Sequence, residues 1–162
     1  MNFEQYQNYL IDTATSLLSI DSTSGFTAKV TDYLIDTVKE LGYPVYKNNI
    51  GNVIVTVEGE DDSEPVALSA HVDTLGLMVR SITSDGMLMI TSIGSPLLPS
   101  LDGEYCNIHT RDGRVYTGTI LSLSPAVHVF PDASTRDRDE QNMAVRIDEI
   151  VHSKEDVEAL GI

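Results

Sequence analysis

Apolar residues recur at helical spacing over residues 4–18, where Tyr6, Tyr9, Leu10, Ala14, Leu17 and Leu18 share one side. The stretch SIDSTSG that follows is dense in small residues that cap and turn. A second helical pattern runs from Thr27 to Leu41, with Val30, Tyr33, Leu34, Val38 and Leu41 on one side, and Gly42 supplies the left-handed residue that ends it. Both stripes read as ordinary packing faces. Beyond Gly42 the period becomes extended. Residues 43–48, 52–58 and 65–72 are Val-rich and bounded by the turns NNIGN and GEDDSE. The last of these, PVALSAHV, is apolar without strict alternation, which predicts a central strand buried on both faces.

The strings LGLMVRSIT, SDG and MLMITSI then predict a hairpin, with Met78, Met87 and Met89 filling core gaps. From Ser95 the texture is all-β: GSPLLPSLDG is a turn-rich joint, and YCNIHT, RDG and VYTGTILS form a second hairpin. Residues 125–141 are polar and charged and read as an exposed excursion. MAVRIDEI is a further strand, expected to lack a closing partner. Ser153 is placed as the N-cap of a short final helix, with Asp156 at the reciprocal capping position.

Composition narrows the function classes. Of 162 residues 41% are apolar, enough for a packed core, and 10 basic against 25 acidic residues give a formal charge of -15. Such a field repels phosphate backbones and anionic lipid, so neither nucleic acid nor membrane is an expected partner. The single cysteine, Cys106, excludes an internal disulfide and cysteine-rich zinc sites. No basic, apolar leader opens the chain and no apolar run approaches the roughly 20 residues that cross a bilayer. The expected compartment is the cytoplasm.

One short constellation carries chemistry: His71-Val72-Asp73 at the end of the apolar segment. Residues two apart in an extended chain point to the same side, so His71 can offer one ring nitrogen to a metal while Asp73 accepts a hydrogen bond from the other. Taken alone, His-x-Asp also occurs with no such role. His109, His128 and His152 read as surface or half-buried histidines, and Asp102-Gly103 and Asp112-Gly113 as turns. The runs Glu60-Asp61-Asp62 and Asp137-Arg138-Asp139-Glu140 read as solvated faces. Ser22, Ser24 and Ser69 lack the surroundings of a nucleophilic serine, and Gly51, Gly59 and Gly76 lack the spacing of a phosphate loop.

The collinear segments ALSAHVDTLGLMV, SDG, SLDGEYCNIHTRDGRVYTGTI and MAVRIDEIVHSKEDVEALGI resemble the M42 family of metallo-aminopeptidases (glutamyl and deblocking aminopeptidases, some labelled cellulases or endoglucanases). The resemblance implies an α/β fold: a zinc-exopeptidase-like mixed sheet with flanking helices, interrupted by an inserted all-β barrel-like domain, both incomplete here. On that plan residues 1–92 are the first half of the catalytic domain and 93–162 most of the insert. It further implies that His71 is a metal ligand and Asp73 the carboxylate that orients it, with no catalytic base and no other cofactor-binding residue in this chain. Thr74 stands where many members carry glutamate. The complete enzyme would hold two divalent ions, zinc or cobalt, and cleave N-terminal residues from peptides. The remaining ligands would follow Ile162, and this chain alone would be inactive. A homo-oligomer is expected, and a complementary C-terminal chain is an expected partner. Two alternatives stay open: a non-catalytic truncated or split-enzyme assembly subunit, and a fragment of an M20-type peptidase or deacylase. The second is disfavoured because SLDGEYCNIHTRDG lacks that group's GxxDxKxG-like context.

Overall fold

A computed structural model describes residues 3–61 and 63–162 of the chain. By packing, the chain forms two compact units, Met1–Leu75 and Gly76–Ile162. The first long hairpin of the chain packs within the sheet of the second unit.

In the first unit α1 spans Phe3–Leu18 and α2 spans Ala28–Glu40. The α2 stripe packs as expected: Val30 is fully buried, and the helix lies on the short antiparallel strands β1 (Val45–Lys47) and β2 (Val53–Val55). Asn48 builds the turn between them, its Oδ1 accepting from the amides of Ile50 and Asn52 at 3.2 and 2.9 Å. Gly42 ends α2 with φ +82°, its amide donating to the Lys39 carbonyl at 2.9 Å. The α1 stripe differs from expectation. Tyr6, Tyr9, Leu10 and Leu18 are exposed, since no described residue of this unit covers that face.

The strand expected at 65–72 is not formed. The segment lies outside any ladder, and Val66 and Leu68 are 89% and 98% exposed. Apolar composition makes a buried strand only where neighbours supply backbone partners and cover, and the described part of this unit supplies neither. The one bridge near its end is parallel, from Thr74 to Thr23. Of the acidic run 60–62, Asp62 lies outside the described residues.

The second unit is a five-stranded antiparallel sheet in the order β3-β4-β7-β6-β5, built from β3 (Gly76–Ile82), β4 (Leu88–Ile93), β5 (Tyr105–His109), β6 (Val115–Ser122) and β7 (Met143–Ile147). The strand expected to lack a partner, β7, sits at the centre and joins the two hairpins. One face is dry: Leu88, Ile90, Met143, Val145, Ile147, Ile108 and Ile120 form the core with Leu98 and with Val157 of α3 (Lys154–Ala159). Each such fully buried side chain contributes about 1.5–3 kcal/mol relative to exposure. Met78 is 56% exposed and fills no gap, whereas Met143, on β7, is wholly buried.

Capping follows the sequence with one shift. Ser153 Oγ accepts from the Asp156 amide at 3.2 Å, while Asp156 reaches back to the amide of His152, one residue before the cap, at 2.9 Å. The charged excursion is also more tightly held than a solvated face. Arg138 pairs with Asp102 at 3.1 Å and donates to the carbonyls of Ala133 and Arg136. Glu140 accepts from the Ser92 amide at 2.6 Å and from Thr91 Oγ1 at 3.0 Å, fastening the excursion to β4.

Candidate functional site

His71 and Asp73 come together across a span of two residues. The ring Nδ1 lies 3.1 Å from Asp73 Oδ1 and 3.2 Å from the Asp73 carbonyl oxygen. Both neighbours are acceptors when the carboxyl is ionised, so Nδ1 must carry the hydrogen. In the neutral ring Nε2 is then the nitrogen with the free lone pair. The His71 side chain is 86% exposed and lines an open cleft of about 310 Å³ with Ala14, Leu17, Leu18, Val72, Asp73 and Thr74.

The loop between the two helices holds this segment in place. Ser22, fully buried, donates its hydroxyl to the Val72 carbonyl at 3.0 Å, and its own carbonyl accepts from the Thr74 amide at 2.9 Å. Thr74 therefore ties backbone to backbone. Next along the loop, Ser24 Oγ donates to Asp73 Oδ2. A turn closed by the Phe26 amide on the Thr23 carbonyl, 2.7 Å, carries Ser24, and Gly25 supplies its positive φ of +87°. The Ser24 hydroxyl, more than His71, holds the Asp73 carboxyl below its ordinary range, against partial desolvation. Asp73 is accordingly an anion at neutral pH, as the hydrogen-bond directions require.

Sequence reasoning passed over the serines here. The sequence around them argues only against a nucleophile, while their role as hydrogen-bond partners depends on a segment 49 residues away in sequence. The signal available was the density of small hydroxyl residues in SIDSTSG.

The other histidines lie in the second unit. His109 ends β5 opposite Val115, His128 is exposed on a turn, and His152 is exposed just before the Ser153 cap. Among the described residues no three His, Cys, Asp or Glu side chains converge as a metal-holding group. The donor chemistry at His71 fits one coordination position of a divalent ion: an oriented imidazole at an open surface. It does not by itself complete a site, since a zinc ion takes three or more protein ligands. Cys106 offers no thiolate, because burial on β5 pushes its thiol up to about 11. No helix among the described residues is long and apolar enough to cross a membrane.

Comparison with known proteins places the chain in a family. The family model described as M42 glutamyl aminopeptidase matches residues 51–162. The protein named "Putative aminopeptidase YhfE" of Bacillus subtilis (strain 168) is 45% identical over 146 residues, covering 90% of this chain and 42% of its own length. The glutamyl aminopeptidase of Lactococcus lactis subsp. cremoris (strain MG1363) is 35% identical over 108 residues, 65% of this chain and 30% of its own. Among solved structures, the aminopeptidase APDkam598 from the archaeon Desulfurococcus kamchatkensis superposes with a TM-score of 0.83 at 27% identity, over 97% of this chain and 41% of that one. The TET1 peptidase of Pyrococcus horikoshii, described as assembling into a tetrahedron or a large octahedral shell, gives 0.75 at 26% identity, over 93% and 43%. The 162 residues thus span less than half the length of these relatives. The M20-type alternative is set aside by the family match, and the chain belongs to the M42 glutamyl aminopeptidase family.

Proposed function

We propose that this chain supplies part of a metal-dependent aminopeptidase, with His71 as a ligand to one of two divalent ions, zinc or cobalt, and Asp73 as the group that orients it. The observation that carries the reading is the engagement of Nδ1 by two acceptors at an exposed ring, which leaves Nε2 for a metal. Bound metal would supply Lewis-acid polarisation of the scissile carbonyl and a more acidic water at neutral pH. The residues of this chain do the rest of their part by position. Asp73 fixes the tautomer and raises the basicity of the ring. Leu17, Leu18 and Ala14 give the cleft an apolar wall on one side.

On this reading residues 1–92 belong to the catalytic domain and 93–162 to the inserted β domain, and the substrates are peptides with a free amino terminus. The further ligands and the catalytic base come from polypeptide beyond these 162 residues, either in cis or from a complementary chain. The chain alone is then inactive. The family resemblance and the assembling TET1 neighbour favour a homo-oligomer, and the acidic, cysteine-poor composition goes with a cytoplasmic setting.

The test is zinc content by elemental analysis beside hydrolysis of aminoacyl anilides, for the 162-residue chain with and without a fragment carrying the rest of a family enzyme. Weak zinc binding and no turnover are expected alone. With the complement, tight metal and activity should appear, and His71→Ala should remove both. If His71→Ala leaves zinc and turnover intact in the reconstituted pair, His71 is not a ligand. A complement that assembles but never gains metal would leave an assembly role alone.

A further inference from the structure

The carboxylate behind His71 has two oxygens and two donors. One oxygen takes the ring Nδ1–H at 3.1 Å, and the other takes the hydroxyl of Ser24. Asp73 is partly exposed, with 38% of its side chain accessible, so nothing about burial alone selects its rotamer. Ser24, in contrast, sits on a constrained loop. The Thr23–Thr74 bridge, the Ser22 carbonyl on the Thr74 amide and the turn with Gly25 in the left-handed region fix its position against the 72–74 segment.

We propose that Ser24 is a positioning residue for His71, acting through Asp73: its hydroxyl pins one carboxylate oxygen so that the other holds the imidazole in the Nδ1–H tautomer with Nε2 bare. The proposal rests on the reading of His71 as a metal ligand. Its logic is that a free imidazole side chain in water favours the opposite tautomer, with hydrogen on Nε2. An exposed ring therefore presents the wrong nitrogen unless an acceptor is held in place beside Nδ1. A carboxylate free to rotate in solvent would hold it for only part of the time. Ser24 removes that freedom, and it does so from the loop joining α1 to α2, so the ligand's orientation is tied to that loop rather than to a strand ladder, which this segment lacks.

The test reads the ring directly. The 162-residue chain is labelled with nitrogen-15, and long-range proton–nitrogen correlations of its four histidines are recorded where the rings are neutral, with His71 assigned by its loss in His71→Ala. The wild-type ring should show the Nδ1–H pattern. Ser24→Ala should move it toward the Nε2–H form with an unchanged amide spectrum elsewhere, and Ser24→Thr, which keeps the hydroxyl, should restore it. Zinc affinity, measured by titration with the metal alone, should fall about 10-fold in Ser24→Ala. If Ser24→Ala leaves the tautomer unchanged while His71→Ala abolishes zinc binding, the Ser24 proposal fails and the metal reading stands. If Ser24→Ala shifts the tautomer but His71→Ala leaves zinc affinity untouched, the ligand reading fails and takes the metal role of Ser24 with it.

Discussion

Gly118 lies on β6 between Cys106 of β5 and Ile147 of β7, in the middle of three paired strands. A Cβ there would stand 2.7 Å from Val145 Cγ1, 2.9 Å from the Arg146 carbonyl oxygen and 3.0 Å from Ile108 Cδ1. The carbonyl belongs to a neighbouring strand and cannot step aside without breaking the ladder. Gly118→Ala should therefore destabilise the second unit by about 1–3 kcal/mol, read as a lower denaturant midpoint with an unchanged slope. An unchanged midpoint would mean that β6 and β7 are less closely packed than described. Sequence alone offered VYTGTILS as a strand with a glycine in it, and the reason for the glycine is a neighbour 27 or more positions on. His71 and Asp73 are the opposite case. Their contact spans two residues, so the pattern could be read locally, whereas the Ser24 contribution needed the loop between the helices to be folded against them.

At the scale of elements, turns and caps were the most legible parts because each is set within a few residues. The SDG and RDG turns and the Ser153 cap all form where their residue types require. The excursion at 125–141 was not legible, because its charges look solvated until their partners on β4 and beside Asp102 are in place. Glu140 shows what those partners do. The Ser92 amide, with help from Thr91 Oγ1, holds its carboxyl below the ordinary glutamate range. A carboxyl lowered in this way stabilises the folded form above the unfolded value, about pH 4, and loses that contribution as pH falls through its folded value. Glu140→Gln should therefore lower the urea midpoint at neutral pH, and the gap to wild type should narrow on acidification toward pH 3. A gap independent of pH would assign the effect to shape rather than charge.

Across the whole chain, the two units differ in how well their own residues satisfy them. The second unit closes a dry core with its own strands, while the first leaves Leu10, Leu18, Val66 and Leu68 uncovered. The apolar 65–72 segment has the hydropathy of a central strand without forming one: hydropathy reports a need for burial, and the partner that meets it is a separate fact. The second unit carries a temporal version of the same point. Its central strand is its last, and β7 meets β6 all the way from Gly118–Ile147 to Ser122–Met143 but meets β4 through Leu88–Val145 and Met89–Ala144. Amides of β6 and β7 should therefore exchange with solvent most slowly and those of β3, the edge strand of the hairpin that joins the sheet through the short β4–β7 seam, fastest within the sheet. Equal protection of β3 and β6 would contradict this. During synthesis the β3–β4 hairpin leaves the ribosome with Leu88 and Ile90 bare, and it must wait for Met143–Ile147 before it has anything to fold onto. Until then those two side chains are open to a chaperone or to a second nascent chain.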